Sequence, residues 1–136
     1  MDLGQLQSFG ARYTAAWCSQ VPASVAAFFS ESGSLTINDG APAAGRTAIT
    51  AAAQGFMTAF PDMVVTMDGV ELQGDTAVYR WTLTGTNTGP GGSGKRVRIT
   101  GHEKWRFGAD GLIARSTGHF DEADYKRQLG ADNGEK

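Results

Sequence analysis

At Pro61 the apolar pattern of this chain changes period. Before it, large apolar residues recur at helical spacing: Leu6, Phe9, Tyr13 and Trp17, then Val25, Phe28 and Phe29, then Ile49, Ala53, Phe56 and Phe60. After it they alternate. A recurrence near 3.6 turns one stripe of a helix toward a core, and a recurrence of two turns one face of a strand there. The first stretch predicts an amphipathic helix over residues 3–18, a short second helix opened by Pro22, and a third that Pro61 ends. Leu35 and Ile37 predict a brief strand before the Asp39-Gly40 turn. The second stretch predicts four long strands, over residues 63–72, 77–88, 95–107 and 112–120, joined by glycine-containing turns. The last turn holds Asp110-Gly111, which supplies the positive φ of a hairpin. A short helix carrying Tyr125 and Leu129 follows Asp121, with Glu122 and Asp124 in its first turn, where carboxylates favour a helix start. Helices first and a strand meander afterwards indicate an α+β fold. We expect a cone-shaped, curved antiparallel sheet wrapped around three N-terminal helices and closed by a short C-terminal helix.

Strand alternation sorts the side chains. Val97, Ile99, Gly101, Glu103, Trp105 and Phe107 share the face expected to meet the helices, while Arg98, Thr100, His102 and Lys104 share the other. In the preceding strand Ala77, Tyr79, Trp81 and Leu83 face inward, with Arg80, Thr82 and Thr84 outward. If the last strand is regular, Ile113, Arg115, Thr117, His119 and Asp121 lie on one face. No helix remains to cover the polar outer face, so a homodimer through it is expected.

At 136 residues, 40% of them hydrophobic, the chain has the length and composition of one domain, read as residues 1–130 followed by a polar tail at 131–136. A net charge of −2 argues against nucleic acid as the main partner. No apolar run approaches the roughly 20 residues of a membrane span, and no signal peptide is read at the N-terminus. Cys18 is the single cysteine, which excludes an intrachain disulfide and a thiolate zinc cluster; a reducing, cytoplasmic setting follows as the expectation. The two histidines, His102 and His119, read as lying on opposite faces, make a poor metal site.

The stretch from Trp105 to Gly130 resembles the end of the SnoaL-like polyketide cyclases, members of the nuclear transport factor 2-like superfamily. The residues that carry the resemblance are Gly111 and Ile113 at the last strand, Asp121 after it, and Gln128-Leu129-Gly130 at the last helix. Phe60-Pro61-Asp62 after the Gly45-Arg46 helix, and Gly85-Thr86-Asn87-Thr88-Gly89, extend it over most of the chain, with Asn87 where many relatives carry His. The resemblance implies a small-molecule cavity, no cofactor, dimerisation through the sheet, and an acid–base role for Asp121. Ala11-Arg12-Tyr13, Thr36-Ile37-Asn38-Asp39 and Gly45-Arg46 also resemble ketosteroid isomerase, a sister family. That likeness puts oxygen stabilisation on Tyr13 and Glu103 and proton transfer on Asp39. It departs from the family in having Glu for Asp and a shorter loop after Asp39.

Each candidate has a plainer role beside the chemical one. Glu103, among Ile99, Trp105 and Phe107, is a desolvated acid or base, or a structural carboxylate paired with an arginine or a tyrosine hydroxyl. Asp121 is an acid–base group paired with His119, or a helix cap. Asp39 shapes a turn or moves a proton. Trp17, Phe56, Phe60, Tyr79, Trp81 and Trp105 are core or pocket wall. Three functions remain: proton transfer next to a carbonyl, as in a cyclase or isomerase; a non-catalytic binding module for a hydrophobic metabolite; and an assembly domain whose cone is filled by its own side chains. An epoxide hydrolase on the same fold is also open.

Overall fold

Helix α1, Leu3–Cys18, starts at Asp2, whose side chain accepts from the Gln5 N–H at 2.8 Å while the Gln5 side chain accepts from the Asp2 N–H at 2.8 Å. This reciprocal box pairs donors that a helix start otherwise leaves open. These and all other features belong to a computed structural model that describes residues 1–130; the tail expected over 131–136 lies outside the described residues. Helix α2 spans Pro22–Ala26 and α3 spans Arg46–Ala59. The strands are β1 Phe29–Ile37, β2 Ala43–Ala44, β3 Val64–Gln73, β4 Thr76–Thr86, β5 Arg96–Phe107 and β6 Ile113–Phe120, and α4, Glu122–Gln128, follows.

The meander β3 to β6 is antiparallel and lies within two residues of the expected ranges. The N-terminal half differs in two places. Phe28 and Phe29 leave the second helix, and Phe29 opens β1, so the brief strand expected at Leu35 is nine residues long. Its middle, Ser30-Glu31-Ser32-Gly33, carries no apolar alternation and spans a break in the β1–β6 register between Phe29 and Ser34. β1 pairs parallel with β6 and antiparallel with β2, giving the order β2-β1-β6-β5-β4-β3 in an open curved sheet. The parallel β1–β6 contact joins residues some 80 positions apart, which no local pattern reports.

The helices pack on the inner face. Leu6, Tyr13 and Ile49 from the helices and Ala77, Tyr79, Val97 and Trp105 from the sheet are all buried together. Burying each large apolar side chain stabilises the fold by roughly 1.5–3 kcal/mol. Gly10 lets α1 lie close on β3: a Cβ there would come within 2.7 Å of Met67 Sδ. β6 stops opposite Gly101, leaving the start of β5 without a strand on that side. The Gln128 side chain of α4 takes over, donating to the Arg98 carbonyl at 2.9 Å and accepting from its N–H at 2.6 Å. Among the described residues no helix is long and apolar enough to cross a membrane.

Candidate functional site

Glu103 sits on the inner face of β5 and is 7% exposed. Its Oε1 accepts from the Ser116 hydroxyl at 2.7 Å, the Trp105 indole N–H at 2.9 Å and the Tyr13 hydroxyl at 2.9 Å. Oε2 has only the longer approach of Tyr13, at 3.2 Å. Helix α1 supplies Tyr13 because its apolar stripe faces the sheet; β5 supplies Glu103 and Trp105 by alternation. Burial pushes the Glu103 carboxyl above its ordinary range, against the pull of the Trp105, Ser116 and Tyr13 donors. Burial also holds the Tyr13 phenol well above its usual value, and the Glu103 charge adds to this, so Tyr13 is a donor throughout the physiological range. Around the carboxyl the rings are close-packed: Tyr79 stacks on Trp105 at 4.8 Å, and Tyr13 meets Trp105 edge-on at 5.0 Å. The Tyr79 hydroxyl hydrogen-bonds the Thr14 side chain.

Ser116 was invisible to the alternation argument. The β5–β6 register shifts between Arg106 and Phe107, where Arg106 faces Arg115 but Phe107 faces Ile113. One extra residue on β6 therefore moves every later side chain to the other face. Ile113 points inward, but from there on Ser116 and Gly118 are the buried positions, while Arg115 is exposed. The expectation that Ile113, Arg115, Thr117, His119 and Asp121 lie on one face is corrected by this bulge.

A small apolar cavity, with about 50 Å³ of space open to water-sized groups and partly open to solvent, adjoins Glu103. Its aromatic walls are Trp17, Phe56, Tyr79, Trp81 and Phe120, and Leu35, Ile37, Leu83 and Ile99 complete most of the rest. Of the aromatic residues singled out from sequence, Phe60 and Trp105 are instead fully buried in the core and do not border it. Glu103 is the carboxylate in this wall. Asp121 is exposed and caps α4, its Oδ1 accepting from the Asp124 N–H at 3.0 Å. Asp39 is exposed in a tight turn with φ of 61°, closed by Gly40 N–H donating to the Ile37 carbonyl at 2.9 Å. Neither Asp121 nor Asp39 borders the cavity. His119 borders it, yet stands opposite His102 in the β5–β6 register, which sends both imidazoles to the outer face, 5.4 Å apart between ring centres. The two histidines, expected on opposite faces, are thus neighbours. No group of three metal-ligating side chains occurs among the described residues.

The arrangement is a desolvated carboxyl with one lightly engaged oxygen, at the edge of an aromatic-walled cavity. The family model described as SnoaL-like domain matches residues 11–116. No curated protein matches the chain. Among solved structures, TsrD from Streptomyces laurentii is 24% identical, with a TM-score of 0.82 over 96% of this chain and 98% of that one. A protein of ketosteroid isomerase-like fold from Catenulispora acidiphila, solved in complex with trimethylamine, is 17% identical, with a TM-score of 0.78 over 90% of this chain and 92% of that one. A protein from Jannaschia sp. CCS1, provisionally named a SnoaL-like polyketide cyclase, is 17% identical, with a TM-score of 0.73 over 91% of this chain and 93% of that one. At such identities the likeness to these structures shows a shared fold.

Proposed function

This chain belongs to the SnoaL-like domain family, and from that premise we propose that it is an enzyme that moves a proton next to a carbonyl of an apolar small molecule, without a cofactor. The observation that supports this reading is Glu103, a carboxyl raised by burial in the wall of an apolar cavity. In the proposed mechanism Oε2 exchanges the proton with the ligand. Oε1 stays anchored by Ser116, Trp105 and Tyr13, which stabilise the carboxylate each time it ionises. A positioned acid–base group of this kind contributes about 10²–10⁴ in rate, most when its pKa lies near the working pH. We assign this work to Glu103 rather than to Asp121, which caps a helix away from the cavity.

A second reading, a binding module without turnover, draws support from the same carboxyl: its three protein donors satisfy it without a substrate, and the wall around it is otherwise mostly apolar. Deuterium uptake next to the carbonyl of 2-tetralone in D2O, followed by proton NMR, separates the two. The enzyme reading expects uptake above the buffer rate, reduced about 10²-fold or more by Glu103→Gln. Uptake at the buffer rate in the wild type would favour the binding module. We further propose a homodimer through the outer sheet face, where Arg80, Arg98 and Thr100 are exposed, and a reducing, cytoplasmic setting in keeping with the single Cys18.

A further inference from the structure

We propose that His102 and His119 together hold a divalent transition-metal ion, of the zinc, nickel or copper kind, on the outer face of the sheet. The inference is independent of the cavity reading. The two residues are register partners on β5 and β6, with both imidazoles on the outer face and their ring centres 5.4 Å apart. Each residue is partly exposed, so an ion can reach the pair from solvent. An imidazole nitrogen binds zinc at about 2.0–2.1 Å, which puts the ring centre roughly 3.2 Å from the ion. At a tetrahedral angle two such rings lie about 5.2 Å apart. The spacing of the two rings is thus already that of a chelate, and pairing of the strands holds the opposite residues there.

Imidazole suits zinc, nickel and copper, whereas magnesium and calcium need oxygen donors. Among the described residues no third His, Cys, Asp or Glu joins the pair. Hard cations therefore find no ligands here, and a transition metal keeps water in its remaining positions. The charges around the pair act in two ways. Arg80, the partner of His102 on β4, is ion-paired with Glu71 at 2.6 Å. Lys104 follows two positions along β5 and stands opposite Thr117. These cations weaken the binding of any dication, yet they also keep protons off the ring. Burial first, then the charges of His119, Arg80 and Lys104, lowers the His102 imidazole below its ordinary value. The neutral ring is the form that binds a metal. The pair stands near the end of β6, where Gly118, His119 and Phe120 border the cavity. An ion on both rings ties that end of β6 to β5.

The test is calorimetry with zinc chloride alone on the whole, untagged chain near pH 7.5, above the ordinary imidazole pKa. It is repeated on His102→Gln, on His119→Gln and on the double substitution, and the ring signals of 15N-labelled histidine are followed through the wild-type titration. Neither histidine belongs to the proposed proton-transfer machinery. A second imidazole held beside the first acts at high effective concentration, so the wild type should bind zinc about tenfold or more tightly than either single variant. The signals of both rings should move together with zinc and stay in place with magnesium chloride. Equal affinity in the wild type and a single variant, movement of one ring only, or binding undiminished in the double substitution, as at Cys18, would overturn the inference. The wild-type ring signals decide the matter if a variant does not fold: zinc that leaves either ring unmoved overturns it.

Discussion

Glu103 gathers three donors onto one of its oxygens, and each is worth more there than at the surface because the acceptor is buried and becomes charged. Ser116→Ala removes the shortest of them, and we expect a loss of about 1.5–3 kcal/mol in chemical denaturation, with the carboxyl rising further. The pH dependence has a definite sign. The folded carboxyl lies above its ordinary value of 4.5, so the native state keeps a proton that the unfolded chain has lost. The stability that Glu103 contributes is therefore fully present below its unfolded pKa and is lost as pH rises through the folded one. Asp62, held down by its bonds to Thr86, and Asp110, held down by Leu112, act in the opposite sense and lose stability as pH falls. Comparing wild type with Glu103→Gln cancels those two. The difference in unfolding free energy should shift against the wild type from pH 4 upward and level off above the folded pKa. A difference independent of pH would mean that Glu103 is not perturbed by burial.

At the scale of elements, α4 is too short to be stable alone and is held by its ends. Asp121 caps the start, Gln128 binds both polar groups of Arg98 near the finish, and Tyr125 meets Phe60 at 6.3 Å and Phe120 at 5.4 Å between them. Asn caps nearly as well as Asp, so Asp121→Asn should leave the thermal midpoint close to the wild type, whereas Asp121→Ala should cost about 1 kcal/mol. In the assay proposed for turnover, Asp121→Asn should likewise retain activity; a loss of about 10²-fold with an unchanged midpoint would return the acid–base role to Asp121. Gln128→Ala should cost about 1–2 kcal/mol, two hydrogen bonds near the surface, and should raise the hydrogen-exchange rate of the Arg98 amide. The cap was legible in the order Asp-Glu-Ala-Asp after an apolar strand. The task of Gln128 was not, because it depends on where β6 stops.

For the whole molecule, the proposed dimer rests on the outer sheet face. Thr82, Thr84 and Thr100 form its middle, and the exposed cations Arg80, Arg98, Lys104, Arg106 and Arg115 surround them on a chain whose net charge is −2. The proposed dimer places two such faces together, so its threonine centre has to outweigh like charge at the rim. Light scattering at about 10 µM should give twice the 14.3 kDa chain mass. Thr100→Arg, which adds charge at the centre, should give the monomer mass with the thermal midpoint of the isolated chain. A monomer in the wild type would remove the dimer.

The sequence alone determined the class of fold, because the change of period at Pro61 is a local property of the chain: helices on one side of it, a strand meander on the other. It also determined that Glu103 and Trp105 face inward, since alternation along β5 is regular from Val97 to Trp105. Tertiary structure decided the rest. β1 joins the sheet by pairing with β6 at Phe29 and again from Ser34 to Ile37, and its own polar middle gives no sign of this. Ser116 reaches Glu103 and His119 turns away because a bulge near Arg115 reverses the faces of β6, and a bulge is set by how two strands match in length rather than by either sequence. Asp121 and Asp39 carry the residue type that acid–base chemistry needs, yet neither borders the cavity, for position in space is fixed by packing between elements and not by the residue's neighbours in the chain. The indole of Trp81, without a hydrogen-bond partner among the described residues, has the same origin: its environment is made by Gly101 and Phe120, twenty and thirty-nine positions away along the chain.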